Sequence, residues 1–178
     1  MNDLDKERQT EGRKAWYAVQ TFYCKEEHLG KYLEKKGVNY FIPMRYIEHE
    51  TLDGKKHRKL TPAVHNLLFI EKEFTEKELL ERVKDCTIPF LLVRDRSTRR
   101  CYEIPDREML EFRAVCDPNY KGTLYVDTVT AEARPGQAVR VIRGPFAGLE
   151  GKLTQYKKSY YVVVTLATIG VMLHIPKW

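Results

Sequence analysis

The chain has 178 residues, of which 43% are hydrophobic, and a formal net charge of +6, so it can bury a core in one medium-sized domain or two small ones. The four cysteines are scattered without a CxxC pair or histidines at zinc spacing, which predicts reduced thiols, no metal site and no cofactor. Residues 1–13 are charged and lack the apolar core of a signal peptide, and no segment approaches the roughly 20 apolar residues of a membrane span. We therefore expect a cytoplasmic monomer, away from membranes, with a disordered tail at residues 1–13.

The body of the chain begins with a strand, a helix and a second strand. An aromatic and β-branched run at residues 14–21 predicts the first strand. A helix is expected at about residues 25–36, because Gly37 suits the position that follows a last helical turn. Residues 38–47 predict the second strand, which carries Pro43.

A hairpin, a third strand and a second helix come next. Asp53-Gly54 predicts a hairpin turn, and the apolar run 67–70 predicts a strand. Thr75 and Glu78 have the spacing of a capping box, which predicts a helix start. Three residues are expected to form the apolar stripe of this helix: Leu79, Leu80 and Val83.

A fourth strand and a third helix complete this part of the chain. Residues 90–93 predict the strand, and Pro105-Asp106 predicts the start of the helix, in which Met109, Phe112 and Val115 recur at helical spacing. The order β-α-β-β-α-β-α indicates an α+β sandwich, with helices packed on an antiparallel sheet, over residues 14–116. Residues 117–134 are polar and turn-rich, which predicts a linker.

From residue 135 the chain has the pattern of a small all-β barrel. Valines alternate with Arg140 as in a half-buried strand, Gly and Pro residues form a turn, and two later glycines can adopt positive φ. Residues 160–166 and 171–175 predict two more strands. The residues of this strand, turn and second strand are Gly136, Val139, Val141, Gly144, Pro145, Phe146, Gly148 and Gly151.

The net positive charge of the chain is concentrated in this segment. Lys and Arg number six against one acid in residues 135–178, whereas the other 134 residues carry 25 basic and 24 acidic groups. Such a surface suits RNA, DNA or an acidic protein, and a simple solvated face is the alternative.

The segment 135–153 resembles the KOW motif, and together with the preceding domain the chain resembles the NusG family. The resemblance rests on the Trp16-Tyr17 strand, the Pro43 strand, the basic hairpin after Asp53-Gly54 and the strand at 66–70. It implies an NGN-type domain at residues 14–116, which binds RNA polymerase, and an SH3-like KOW barrel at residues 135–178.

Two details are similar to specialised members of this family. Val38-Asn39 resembles the RfaH-like proteins, and residues 104–109 resemble the UpxY-type antiterminators. This resemblance implies a non-enzymatic factor that reduces pausing or termination at capsular or exopolysaccharide operons. A housekeeping NusG-type elongation factor and a KOW protein that binds ribosomal RNA are the alternatives.

The polymerase-binding surface is expected on the strand at residues 66–70. Leu67 and Phe69 share one face of this strand, and their exposure would give an apolar patch for a partner helix, whereas burial of both faces is the alternative. The resemblance places contacts with the clamp region of RNA polymerase at five residues: Gln20, Val64, His65, Leu67 and Phe69.

The nucleic-acid surface is expected on the first helix. A projection at 100° per residue places His28, Lys31 and Lys35 along one flank with Tyr32 beside them, and Glu27 and Glu34 on the opposite flank. Amines can follow phosphates and a ring can stack on a base, which suits the non-template DNA strand or nascent RNA. The RfaH-like resemblance adds Tyr23, Lys25 and Lys36, and an ordinary solvated helix is the alternative.

The predicted hairpin carries a dense run of basic residues. The run Lys55-Lys56-His57-Arg58-Lys59 is the densest positive charge of the chain, which indicates a hairpin arm for polymerase or nucleic acid, or a solvated tip.

No nucleophile, Walker or metalloprotease motif is present in the sequence, which argues against an enzyme. The KOW loop at residues 165–171 lacks the Phe-Gly-Arg triplet by which housekeeping members reach the ribosome, so the resemblance leaves a ribosomal contact in doubt.

Overall fold

The computed structural model describes residues 14–51, 53–95, 97–119, 123–127, 136–142, 150–166 and 169–175. The first strands and helices are β1 (Ala15–Thr21), α1 (Glu26–Lys35), β2 (Tyr40–Phe41), β3 (Met44–Glu50), β4 (Lys56–Pro62), β5 (Leu67–Glu71), α2 (Glu76–Arg82), β6 (Phe90–Leu92), β7 (Glu103–Pro105) and α3 (Asp106–Val115). The remaining strands are β8 (Thr123–Asp127), β9 (Gln137–Arg140), β10 (Glu150–Tyr156), β11 (Ser159–Leu166) and β12 (Ile169–Ile175). These helices and strands confirm the predicted α+β class, with antiparallel sheets and an all-β C-terminal region.

Strand β1 is the centre of the first sheet. It pairs antiparallel with β5 on one edge, and on the other edge with β6 near its end and β7 near its start. Strand β2 pairs with β5 at the outside of the sheet. Alternate residues of β1 therefore point to opposite faces of the sheet.

The first face of this sheet forms a core with α1 and α2. Tyr17 and Val19 of β1 and Leu68 and Ile70 of β5 lie in one buried cluster. The helices and the residue that caps α2 contribute Leu29, Leu33, Leu79 and Val83, and Val38 and Leu92 complete the cluster. Both helices therefore dock through the apolar stripes of their sequences, except that Leu80 was wrongly included in the stripe of α2, since 43% of it is exposed.

The second face of the sheet is also buried. Trp16 and Ala18 of β1, Phe69 of β5 and Ile104 of β7 are almost fully inaccessible to solvent. The Trp16 indole N–H donates to a carboxylate oxygen of Asp106, at 2.9 Å, which fixes the first turn of α3 beside β1. Residues Met109, Phe112 and Val115 of α3 are buried at the predicted helical spacing.

The helix boundaries follow the predicted local signals. Gly37, at φ +67°, ends α1 in the left-handed conformation that glycine adopts without steric cost. At α2, Thr75 and Glu78 form the complete capping box, in which the Thr75 hydroxyl accepts from the Glu78 N–H and the Glu78 carboxylate accepts from the Thr75 N–H. Each cap satisfies backbone groups that the helix itself leaves unpaired.

The predicted strand at residues 38–47 is interrupted in the structure. Strand β2 ends at Phe41, Pro43 is buried without a backbone N–H to donate, and β3 begins at Met44 as part of a separate two-stranded ribbon with β4. The ribbon turns near Gly54, at φ +76°, as the Asp53-Gly54 signal predicted.

The C-terminal region is a five-stranded antiparallel sheet in the order β8-β12-β11-β10-β9. Strand β8 lies within the segment that was predicted to be a linker, yet it pairs with β12 through Tyr125 and Val171. Gly151 lies in β10 without a positive φ, so the expectation that this glycine adopts a positive φ was wrong. A Cβ atom at Gly151 would lie 2.6 Å from the Val163 carbonyl oxygen, so close strand packing explains the glycine.

The described residues cluster into two compact units, one of residues 14–42 and 66–109, and one of residues 43–65 with those from 110 onward. The first holds the sheet of β1 with α1 and α2, and the second holds the β3–β4 ribbon and the C-terminal sheet. The domain limits at residues 116 and 135 stay a prediction.

Candidate nucleic-acid and polymerase interfaces

The loop between β1 and α1 holds an aromatic ring in solvent. Tyr23 is 83% exposed, and it has φ 59°, followed by Cys24 at φ 52°. Two consecutive non-glycine residues in the left-handed region cost of order 1–3 kcal/mol each, so surrounding contacts must hold them.

Asn66 supplies those contacts. Its side-chain oxygen accepts from the Cys24 N–H at 2.8 Å, and its carbonyl accepts from the Thr21 N–H at 3.0 Å. Asn66 itself has φ 61°, a conformation that asparagine tolerates better than most residues. The loop is thereby tied to the residue that precedes β5.

A buried carboxylate completes this arrangement. Glu26, in the first turn of α1, is only 1% exposed, and its Oε2 accepts from the Thr21 hydroxyl and from the Asn66 N–H, both at 3.3 Å. An acidic side chain at this position also suits the positive end of the helix dipole. Glu26 and Asn66 together fix the loop that presents Tyr23.

The outer surface of α1 separates charges by sign. Its buried side consists of Glu26, Leu29, Gly30 and Leu33. Exposed residues on one flank are Glu27 and Glu34, and those on the outer side and the other flank are Lys25, His28, Lys31 and Lys35. The burial pattern agrees with the helical projection, and the basic surface of α1 continues into the Tyr23 loop.

Two predicted members of this surface are engaged elsewhere. The Tyr32 hydroxyl donates to Oδ1 of Asp85 at 2.6 Å, and Lys36 Nζ lies 2.8 Å from Oδ2 of the same carboxylate. Lys36 and Tyr32 lower the pKa of Asp85 to about 2, while desolvation and Asp85 raise the pKa of Tyr32. The Tyr32 ring also packs against the core cluster, so Tyr23 is the more accessible ring for stacking.

Sequence reasoning found Tyr23 through family resemblance but missed the residues that position it. The hydrogen bonds that Asn66 makes with Cys24 and with Glu26 join residues 40 or more positions apart. The only available local signal was the tolerance of asparagine for the left-handed region.

The predicted apolar patch on β5 is not exposed. Leu67 is 4% exposed and Phe69 is fully buried, with the Phe69 ring centroid 6.3 Å from that of Phe41. The structure therefore shows the alternative, in which both faces of β5 are buried. Whether these side chains contact a polymerase stays a prediction.

The other predicted polymerase-binding residues are more accessible. Gln20 and His65 are exposed, and Val64 is half-buried. In the sheet, Gln20 lies between Leu67 of β5 and Leu91 of β6, and Leu91 is 58% exposed. On this sheet face, Gln20 and Leu91 are thus the exposed residues of β1 and β6.

The described part of the KOW-like segment has the expected strand character. Gly136, Val139, Val141 and Gly151 lie in or beside β9 and β10, where Gly151 opposes Val139. Arg140 forms an ion pair with Glu150 across the same two strands. The other motif positions, Gly144, Pro145, Phe146 and Gly148, lie outside the described residues.

Comparison with known families assigns both parts of the chain. The family model described as "Transcription termination factor nusG" matches residues 14–113, which is more than half of the chain. The chain belongs to the NusG family. A second model, described as "KOW motif", matches residues 135–166. No curated protein matches the chain.

Membership in the NusG family establishes the general function. The chain is a transcription elongation or antitermination factor, and NusG-family factors are non-enzymatic proteins that bind RNA polymerase and nucleic acids. Among the described residues, no helix is long and apolar enough to cross a membrane.

Proposed function

We propose that this NusG-family protein is a specialised antitermination factor, which binds RNA polymerase and reduces pausing or termination at capsular or exopolysaccharide operons. The observation that carries the proposal is the Tyr23 loop, because Asn66 and Glu26 hold it in a strained conformation beside the basic surface of α1. Strained, well-supported loops occur preferentially at functional sites.

The nucleic-acid partner is the non-template DNA strand of the transcription bubble or nascent RNA. Tyr23 offers a ring on which an unpaired base can stack, and base stacking on aromatic side chains contributes about 1–3 kcal/mol per base. Lys25, His28 and Lys31 follow the ring along α1 and can contact successive phosphates. Tyr32, Lys35 and Lys36 extend this surface, with Tyr32 and Lys36 serving chiefly to hold Asp85.

The polymerase contact is made at the exposed residues of the second sheet face. Gln20 and Leu91 form its exposed part, and Leu67 lies beside Gln20 in the sheet. A partly exposed leucine beside a polar group suits a helix of the polymerase clamp region. In this arrangement the buried Leu67 and Phe69 support the contact from the neighbouring strand β5, while Val64 and His65 precede β5 in the sequence.

The operon class rests on resemblance to specialised members of the family. Val38-Asn39 and residues 104–109 have their sequence pattern, and residues 165–171 lack the triplet that links housekeeping members to the ribosome. A gene position at the head of a polysaccharide operon would support this assignment, and a position among ribosomal genes would contradict it.

The test of the nucleic-acid surface is binding of labelled single-stranded DNA across a range of salt concentrations. Lys31→Glu with Lys35→Glu is expected to weaken binding and to reduce the salt slope by about 0.7 for each lost phosphate contact. Tyr23→Ala should weaken binding without changing the slope, because the ring carries no charge.

A matched control changes the same net charge on another exposed surface. Lys77 lies in α2 and Lys84 in the turn after it, and both are exposed. Lys77→Glu with Lys84→Glu should leave the slope nearly unchanged. Equal slopes for the α1 variant and this control would show that α1 is only a solvated helix.

A further inference from the structure

The β3–β4 ribbon has two faces that differ sharply in charge. The strands pair antiparallel from Met44 opposite Pro62 to Glu50 opposite Lys56. Residues directly opposite each other share a face, and successive residues alternate between faces. The register therefore sorts all side chains of the ribbon into two sets.

The first face balances its charges internally. Glu48 lies opposite Arg58, and Glu50 lies opposite Lys56, so each carboxylate faces a cation. The Arg58 guanidinium also lies over the Tyr46 ring, 4.3 Å from its centroid, which places these two side chains on the same face. This face has little charge left to offer a partner.

The second face carries cations and no acid. Its six residues are Arg45, Ile47, His49, His57, Lys59 and Thr61. Arg45, His49, His57 and Lys59 are exposed. Arg45 and Lys59 are diagonal neighbours, and the two histidines lie directly opposite each other and add N–H donors. The one face thus combines fixed positive charge with further hydrogen-bond donors.

We propose that this second face binds the phosphate backbone of duplex DNA. The charge is complementary to phosphates, and no carboxylate within the face opposes their approach. A two-stranded β-ribbon has the width that the major groove of B-DNA admits. Seven residues per strand give a ribbon about 23 Å long at about 3.3 Å per residue, enough to follow several phosphates. The residues of this face are different from those of the α1 surface, and the role proposed for them does not depend on polymerase binding.

The test compares two double variants of the full chain that remove the same charge from opposite faces. Arg45→Gln with Lys59→Gln removes the two fixed cations of the second face, and Lys56→Gln with Arg58→Gln removes the two cations of the first face. Binding of a labelled DNA duplex is measured by anisotropy across a salt series, beside single-stranded DNA and duplex RNA of equal length. Circular dichroism melting confirms that both variants are folded.

The proposal predicts that the second-face variant loses duplex DNA affinity and that its salt slope falls by about 1.8, since each contact contributes about 0.9. The first-face variant should keep a slope close to that of the unmodified protein. Equal losses in both variants, or no loss in either, would overturn the proposal. A loss confined to single-stranded DNA or to duplex RNA would also overturn it, by assigning the face to another partner.

Discussion

Replacement of Asn66 by alanine tests how the Tyr23 loop is held. The change removes the oxygen that accepts from the Cys24 N–H at 2.8 Å, which is worth about 1 kcal/mol net. It also places alanine at φ 61°, where the left-handed conformation costs about 1 kcal/mol more than for asparagine. We expect the free energy of unfolding to fall by about 2 kcal/mol, measured by urea denaturation.

Two further variants separate the contributions. Asn66→Gly keeps the left-handed conformation accessible but loses the same hydrogen bond, so about 1 kcal/mol of destabilisation is expected. Asn39→Ala is the matched control, because the Asn39 side chain donates to Glu71 and Glu73 at the surface and its backbone is not left-handed.

The same series has a functional readout. Both Asn66 variants should bind single-stranded DNA more weakly than the unmodified protein, because Tyr23 loses its fixed position, whereas Asn39→Ala should bind normally. The role of the left-handed backbone is refuted if Asn66→Ala lowers the free energy of unfolding by the same amount as Asn39→Ala. It is also refuted if Asn66→Ala and Asn66→Gly lower it by the same amount.

Three other predictions concern packing, pH and thiol chemistry. Phe69→Ala should destabilise the fold by about 3–5 kcal/mol, since Phe69 is fully buried, and an unchanged melting temperature would show that it is not a core residue. Lys36 and Tyr32 hold the pKa of Asp85 at about 2, below its unfolded value, so the stability they confer is present above about pH 4 and is lost as pH falls toward 2. Asp85→Asn should therefore make acid destabilisation shallower in this window, and superimposable acid-unfolding curves would count against the interaction. Burial and Glu76 raise the pKa of Cys101 to about 11, whereas the Cys24 thiol is exposed. Mass spectrometry after brief maleimide treatment should therefore find Cys24 modified before Cys101. Faster labelling of Cys101 would contradict this prediction.

Local signals in the sequence predicted the helices well. The Thr75 and Glu78 capping box and Gly37 are decided by backbone groups within one helical turn, so they can be recognised without tertiary information. Leu80 shows the limit of the same reasoning, because helical spacing identifies an apolar stripe but not which of its members another element covers.

Features that depend on long-range pairing were harder to predict. The run 67–70 is apolar at every position, so periodicity alone could not decide between one buried face and two. Strand β8 was assigned to a linker because its neighbours are polar, and only pairing with β12 reveals it. The contact between Asn66 and the Tyr23 loop joins residues 42 positions apart and has no sequence period at all.

The most direct test of the central claim is an in vitro transcription assay with purified RNA polymerase, on a template that carries a defined pause and a terminator. The account predicts that the full chain binds the elongating polymerase, shortens the pause and increases read-through, and that Tyr23→Ala with Lys31→Glu reduces these effects. Unchanged pausing and termination at a protein concentration that saturates the polymerase would contradict the account.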